Sequence, residues 1–175
     1  MSYFVCDVEA DSQTPAFGSM VCFGAVLVND DLDKTFYGQT KPITPQYNED
    51  NLAISGFSRK EHEKFDDPEE VMLKFREWVM SNTKGQPIFM TDNPGFDFAW
   101  INYYFQYYQI KNPFGWSSRR IGDIFCGFYN DAHYSWKKHR DNKRFPHNHH
   151  PVSDACGNAS ALLWLKSQGF KIQFK

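Results

Sequence analysis

The sequence predicts an α/β layered domain built on a mixed five-strand sheet flanked by helices, three antiparallel strands followed by two parallel ones. Three observations lead there. Two apolar strand-like runs and one alternating run fall within the first 40 residues, joined by polar turns. An amphipathic helix follows from Asp67 to Ser81. Beyond it the pattern alternates strand, helix, strand, helix, as layered α/β folds do.

The first strand, Tyr3 to Glu9, is apolar and ends in two carboxylates. Side chains two apart on a strand share a face, so Asp7 and Glu9 project together. Two ionised carboxylates that close repel in a low-dielectric site, and a divalent cation is the usual neutraliser. Ala10 to Pro15 is loop chemistry. Met20 to Val28 is apolar enough to be a central strand, Asn29 to Asp31 turns the chain, and Lys34 to Thr40 completes an antiparallel meander. A polar connector, Pro42 to Asp50, leads to a short segment around Ile54 to Phe57.

In the helix from Asp67, one stripe carries Val71, Phe75, Trp78 and Val79. Pro68 suits its first turn, and Asp67 with Glu70 is expected to form a capping box. Gly85 and Pro87 stop it. Ile88 to Thr91 is a buried strand, and Asp92 to Gly95 turns into a second helix, Phe96 to about Gln109. Arg119 to Ile124 reads as the fifth strand, leading into another helix. His133 to His150 is basic and irregular, and the last helix runs from Asp154 to Gln168, closed by Gly169.

A chain of 175 residues suffices for one domain, 1–175, with a substantial core, and 18% aromatic residues supply the packing. The net charge of −2 argues neither for nor against nucleic acid as a global property, so a polyanion partner would have to be met by a local basic face or by metal. The four cysteines form no paired motif, and Cys6 and Cys22 lie in strand-like runs as small hydrophobes. No basic-then-apolar leader and no bilayer-length apolar run is present, so a cytoplasmic location without membrane contact is expected.

Two further sites carry chemistry. Asp97 follows a buried strand and opens a helix, where ligands collect in α/β sheets, although a first-turn acid also suits the helix dipole. His149 stands five residues before Asp154, in the loop preceding the last helix. A histidine beside metal-bound carboxylates can take a proton from water, since imidazole ordinarily titrates near neutrality. His62 and Asp67 share that spacing, but His62 lies among charges and is expected to be solvated. His147, His149, His150 and Cys156 have donor types that suit zinc without the spacing of its familiar sites.

Asp7-x-Glu9 on the first strand, Asn93-x-x-Phe96-Asp97 after a strand, and His149-x-x-x-x-Asp154 before the last helix together resemble the three motifs of DEDDh exonucleases. That superfamily includes oligoribonuclease, RNase T and polymerase proofreading exonucleases. The resemblance spans residue 5 to about 165 and implies a ribonuclease H-like fold. Ser55-Gly56-Phe57-Ser58 is similar to the family's element between third strand and first helix, and Asp123 to its acid at the end of the fifth strand. The chain departs from the family at Ala10, Asp92 and Ser55, positions that touch substrate handling more than metal binding.

What the resemblance implies is hydrolysis of single-stranded nucleic acid from a 3′ end, releasing nucleoside 5′-monophosphates. Asp7, Glu9, Asp97 and Asp154 would hold two divalent ions, Mg²⁺ or Mn²⁺, with His149 as general base. RNA is favoured over DNA by similarity to the compact members, and a homodimer is a state common among them. Phe57 is a candidate for stacking on the terminal base, equally readable as core, with Ala10 and Asn93 as further substrate contacts. Lys137, Lys138, Arg140, Lys143 and Arg144, interleaved with aromatics, suggest a backbone-tracking patch or a solvated basic loop. The competing class is a non-catalytic nucleic-acid-binding module of the same fold, which loss of a motif carboxylate would favour; all four are present. A DNA-directed or proofreading exonuclease is the alternative enzyme.

Overall fold

A computed structural model describes residues 1–173. In it β1 (Ser2–Ala10), β2 (Met20–Leu27), β3 (Thr35–Gln39), β4 (Pro87–Thr91) and β5 (Ser118–Arg120) form a five-stranded sheet of order β3-β2-β1-β4-β5. The first strand is therefore central. It pairs antiparallel with β2 and parallel with β4, while β5 lies parallel to β4.

The period of two along β1 divides the core. Phe4, Cys6, Val8 and Ala10 pack on one face with Phe75 and Val79 of α3 (Pro68–Ser81) and Trp100 and Tyr104 of α4 (Asp97–Tyr107). Tyr3 and Val5 pack on the other with Phe125 of α5 (Ile121–Tyr129) and Ala155, Leu162 and Leu165 of α6 (Pro151–Ser167). Asp7 and Glu9 share the register of Tyr3 and Val5, so they face α6.

Two short helices, α1 (Glu49–Ile54) and α2 (Arg59–His62), fill what the sequence left as connector. Their caps are local: Asn51 N–H donates to the Asn48 side chain, and Ser58 with Glu61 forms a capping box. The box expected at Asp67 does not form. Asp67 caps α3 by accepting from the Glu69 N–H and pairs with Lys41 at 2.8 Å, leaving Glu70 near Lys74. The fifth strand is also shorter than expected, because Ile121 to Ile124 are helical. Apolar runs of this length satisfy either period, and burial of Ile121 and Phe125 against α6 selects the helix. Asp123 therefore sits in the first turn of α5, exposed and paired with Arg120 at 2.9 Å.

His62 is not solvated but wholly buried, with Nε2 3.2 Å from the Met20 carbonyl. Burial pushes its imidazole down from 6.5 to about 4. With the folded value below the ordinary one, the neutral ring's contribution to stability is complete above pH 6.5 and is lost as pH falls towards 4. Glutamine can present an N–H to the same carbonyl without titrating. His62→Gln is expected to remove about 2–3 kcal/mol of the stability change between pH 4 and 6.5, read as flatter urea midpoints.

Gly24 lies opposite Asp7 in the sheet, and a Cβ there would strike the backbone of Pro151 and Val152. Its missing side chain is what lets the start of α6 press against β2. Gly24→Ala should lower Tm by about 3–10 °C in thermal melts, the usual effect of overpacking in a domain this size.

Candidate active site

Three elements bring four carboxylates together. β1 delivers Asp7 and Glu9 on its α6 face, α4 brings Asp97 in its first turn, and α6 brings Asp154 in its own. Asp97 is locked between strands: Oδ1 accepts from the Val8 N–H at 3.1 Å and Oδ2 from the Thr91 hydroxyl. The Asp92–Gly95 turn sets this up, since the Asp97 N–H donates to the Asn93 carbonyl at 2.8 Å. Asp154 is held more tightly still. Its Oδ1 receives Arg140 Nη2 at 2.9 Å and stands 2.6 Å from His147 Nδ1, and its Oδ2 accepts from the His149 N–H at 3.1 Å.

The charges of this cluster are felt at Asp7 and Glu9. Burial, then Asp97, Asp154 and Glu9, raise the Asp7 carboxyl well above its usual range, with Arg140 opposing. Burial and Asp154 push Glu9 up to about 7. Asp97 is raised by burial despite its hydrogen bonds to Thr91 and Val8. Negative charge here lacks full compensation from the protein, the condition under which oxygen ligands accept a hard divalent cation. Among the described residues, no group of three or more His, Cys, Asp or Glu side chains is placed so that it could already hold a metal ion. The donor set is nonetheless all carboxylate, which suits Mg²⁺ or Mn²⁺ over zinc. The zinc alternative is not assembled: Cys156 packs into the core, and His150 stacks on Tyr37 at 5.1 Å.

His149 occupies the left-handed region at φ 58°, with its side chain 52% exposed and Nδ1 3.5 Å from Glu9 Oε1. That backbone turn aims the His149 N–H at Asp154 while leaving the ring accessible to water. The five side chains singled out from the sequence thus converge on one place. His147, Arg140 and Thr91 join them: the sequence marks His147 only as a zinc-type donor and Arg140 only as one charge of the basic stretch, and nothing local marks Thr91.

A cavity of about 530 Å³ opens beside Glu9, lined also by Ala10, Gln13, Asn51, Ile54, Asn93 and Phe96. Its size is that of a nucleotide-scale ligand site. Ala10 and Asn93 are therefore in its wall. Phe57 is not: the chain turns at Gly56 (φ 78°), and Phe57 packs edge-on against Phe65 at 5.0 Å over Val21, Cys22 and Leu52. Ile54, 51% exposed at the end of α1, and Phe96 supply the apolar wall instead.

The basic stretch is largely anchored rather than free. It contains one 3₁₀ turn, Lys137–His139, and His139 stacks on Trp164 at 3.4 Å. Lys137 pairs with Asp92 at 2.6 Å, Arg140 is buried on Asp154, and Arg144 donates to the Asp31 carbonyl. A second cavity of about 520 Å³, lined by Asp92, Asn93, Arg120, Trp136 and Lys137, adjoins the first through Asn93.

The architecture is that of the ribonuclease H-like DEDDh nuclease domains. The nuclease domain of 3′hExo, a DEDDh family member bound to rAMP, superposes with a TM-score of 0.79 at 18% identity, covering 99% of this chain and 96% of that one. The zinc-bound E. coli ExoI–ssDNA complex gives 0.75 at 13% identity over 97% of this chain, which spans 41% of that protein. No protein-family model matches the sequence. A relative from Escherichia coli, the 3′-5′ DNA exonuclease Cap18, is 32% identical over 140 residues, 78% of this chain and 73% of the relative. The chain belongs to the DEDDh family of 3′-5′ exonucleases. Among the described residues, no helix is long and apolar enough to cross a membrane.

Proposed function

We propose that this exonuclease is a single catalytic domain that removes nucleotides one at a time from the 3′ end of a single strand, releasing nucleoside 5′-monophosphates. The observation that carries this is the convergence of Asp7, Glu9, Asp97 and Asp154 beside a half-exposed His149 and a nucleotide-sized cavity. The four carboxylates would hold two Mg²⁺ or Mn²⁺ ions. When bound, these supply Lewis-acid activation of water and neutralise charge developing on the phosphate and the leaving oxygen.

The chain's own residues do the rest. His149 takes the proton of the attacking water, with Glu9 on Nδ1 orienting the ring. The Asp97 and Asp154 hydrogen bonds fix both carboxylates before substrate arrives, which avoids reorganisation during the reaction. Ile54 and Phe96 offer apolar surface to the terminal base, while Asn93, Asn51 and Gln13 offer hydrogen bonds to sugar and phosphate. A terminal nucleotide splayed into this cavity has to leave its base pair, so a duplex end would have to fray first.

His149→Asn suits as a probe, because asparagine tolerates a left-handed backbone and the N–H bond to Asp154 survives. It should lower single-turnover cleavage by about 100- to 10,000-fold.

Similarity to oligoribonuclease and RNase T favoured RNA. The 32% identical relative is a DNA exonuclease by name, and this moves our reading to DNA, with RNA second. Matched 5′-labelled single-stranded DNA and RNA, digested in Mg²⁺ or Mn²⁺ beside Asp7→Asn, decide the matter. Faster shortening of DNA supports the reading, faster shortening of RNA reverses it, and no cleavage of either returns the chain to a binding role.

A further inference from the structure

We infer that Arg140 is a positioning residue for the cation site, holding Asp154 so that only its Oδ2 is presented to a metal; this rests on the metal-dependent reading above. Arg140 comes from the basic stretch, yet its side chain is 6% exposed and lies against α6. Nη2 donates to Asp154 Oδ1 at 2.9 Å, and His147 Nδ1 stands 2.6 Å from the same oxygen. A carboxylate oxygen has two lone pairs, so Oδ1 is filled by the protein. Oδ2 accepts one hydrogen bond, from the His149 N–H, and keeps one lone pair. Asp154 is thereby a one-oxygen ligand of fixed direction.

Two features indicate that the fold makes room for this arginine. Gly157, one turn along α6, is the seat of the guanidinium: a Cβ there would lie 2.5 Å from Nη2 and 2.8 Å from Nε. Glycine in a helix interior is otherwise unfavourable. The segment is also fastened at the next residue, where the Asp141 N–H donates to the Ser160 hydroxyl at 2.8 Å. Among the described residues Nε has no hydrogen-bond partner, so the bond from Nη2 to Asp154 is the side-chain contact that fixes the guanidinium. Arg140 is arranged around Asp154 rather than around its own hydrogen bonding. Outer residues that orient a metal ligand typically change metal affinity 10–100-fold when removed.

The test is Mn²⁺ binding, by calorimetry and by the EPR signal of free Mn²⁺, on wild type, Arg140→Met and Gly157→Ala. Circular dichroism and metal-free Tm confirm folding of each. Both variants should bind Mn²⁺ about 10–100-fold more weakly than wild type. Gly157→Ala keeps the arginine and favours the helix, so it decides the question if Arg140→Met fails to fold. Unchanged affinity in the folded variants would overturn the proposal and leave Arg140 a packing residue. Tighter binding would overturn it differently, making the guanidinium a competitor of the cation. If wild type itself binds no Mn²⁺, the metal-dependent reading falls with it.

Discussion

Asp7→Asn is expected to cut exonuclease activity by about 1,000-fold, about 4 kcal/mol of transition-state stabilisation, while raising the Tm of the metal-free protein. Both effects come from one cause. Asp7 sits on the central strand among Glu9, Asp97 and Asp154, and burial with those charges raises its carboxyl well above the usual range. In the metal-free protein the ionised form is therefore a burden, and the neutral isostere removes it. A rise of a few degrees corresponds to about 1 kcal/mol in a domain this size. With cation and substrate bound, the same charge is what the reaction requires. Initial rates on a labelled single strand and melts in EDTA measure the two effects separately. A variant that lost activity and stability together would place Asp7 in the fold's support rather than its chemistry.

The second large effect lies away from the carboxylates. Asp11, 0% exposed, accepts from the Ser19 N–H at 2.5 Å and pairs with Arg59 Nη1 at 2.9 Å. Arg59 also donates to the Thr44 carbonyl and lies over Tyr47, so one guanidinium ties the end of β1 to the loop before α1. The Asn48 N–H donates to the Asp11 carbonyl, closing the same corner. This corner backs the cavity wall formed by Asn51 and Ile54. Arg59→Met leaves a buried carboxylate unpaired and should destabilise by about 3 kcal/mol, lowering Tm by about 6–12 °C. In an Asp11→Asn background the same change should have about half that effect in urea melts. Equal losses in both backgrounds would assign the role to Tyr47 and Thr44 instead.

Sequence and structure part company where contacts are long-range. The alternation in β1, the helical stripe of α3 and the three acidic motifs are local patterns, and they mark the mixed five-strand sheet and the carboxylates; the order β3-β2-β1-β4-β5 comes from the structure. Local pattern does not place the β5–α5 boundary, because Ile121 to Ile124 satisfies two periods and only packing on α6 decides between them. His62 looked solvated among charges, yet a buried corner built around Asp11, 51 positions earlier, encloses it. Asp11 continues the alternation of Asp7 and Glu9, a local signal that the loop composition of Ala10 to Pro15 masks. Arg140 is legible only as one charge of a basic run. Its position depends on how the stretch from residue 133 to 150 docks through His139 on Trp164, which no local spacing encodes.

If the carboxylate cluster cuts only from a 3′ end, it must distinguish a linear 5′-labelled single strand from the same sequence closed into a circle. The linear strand should shorten as a ladder, one nucleotide at a time from the 3′ side, with the circle untouched. Nicking of the circle, or immediate release of the labelled 5′ nucleotide, would contradict it.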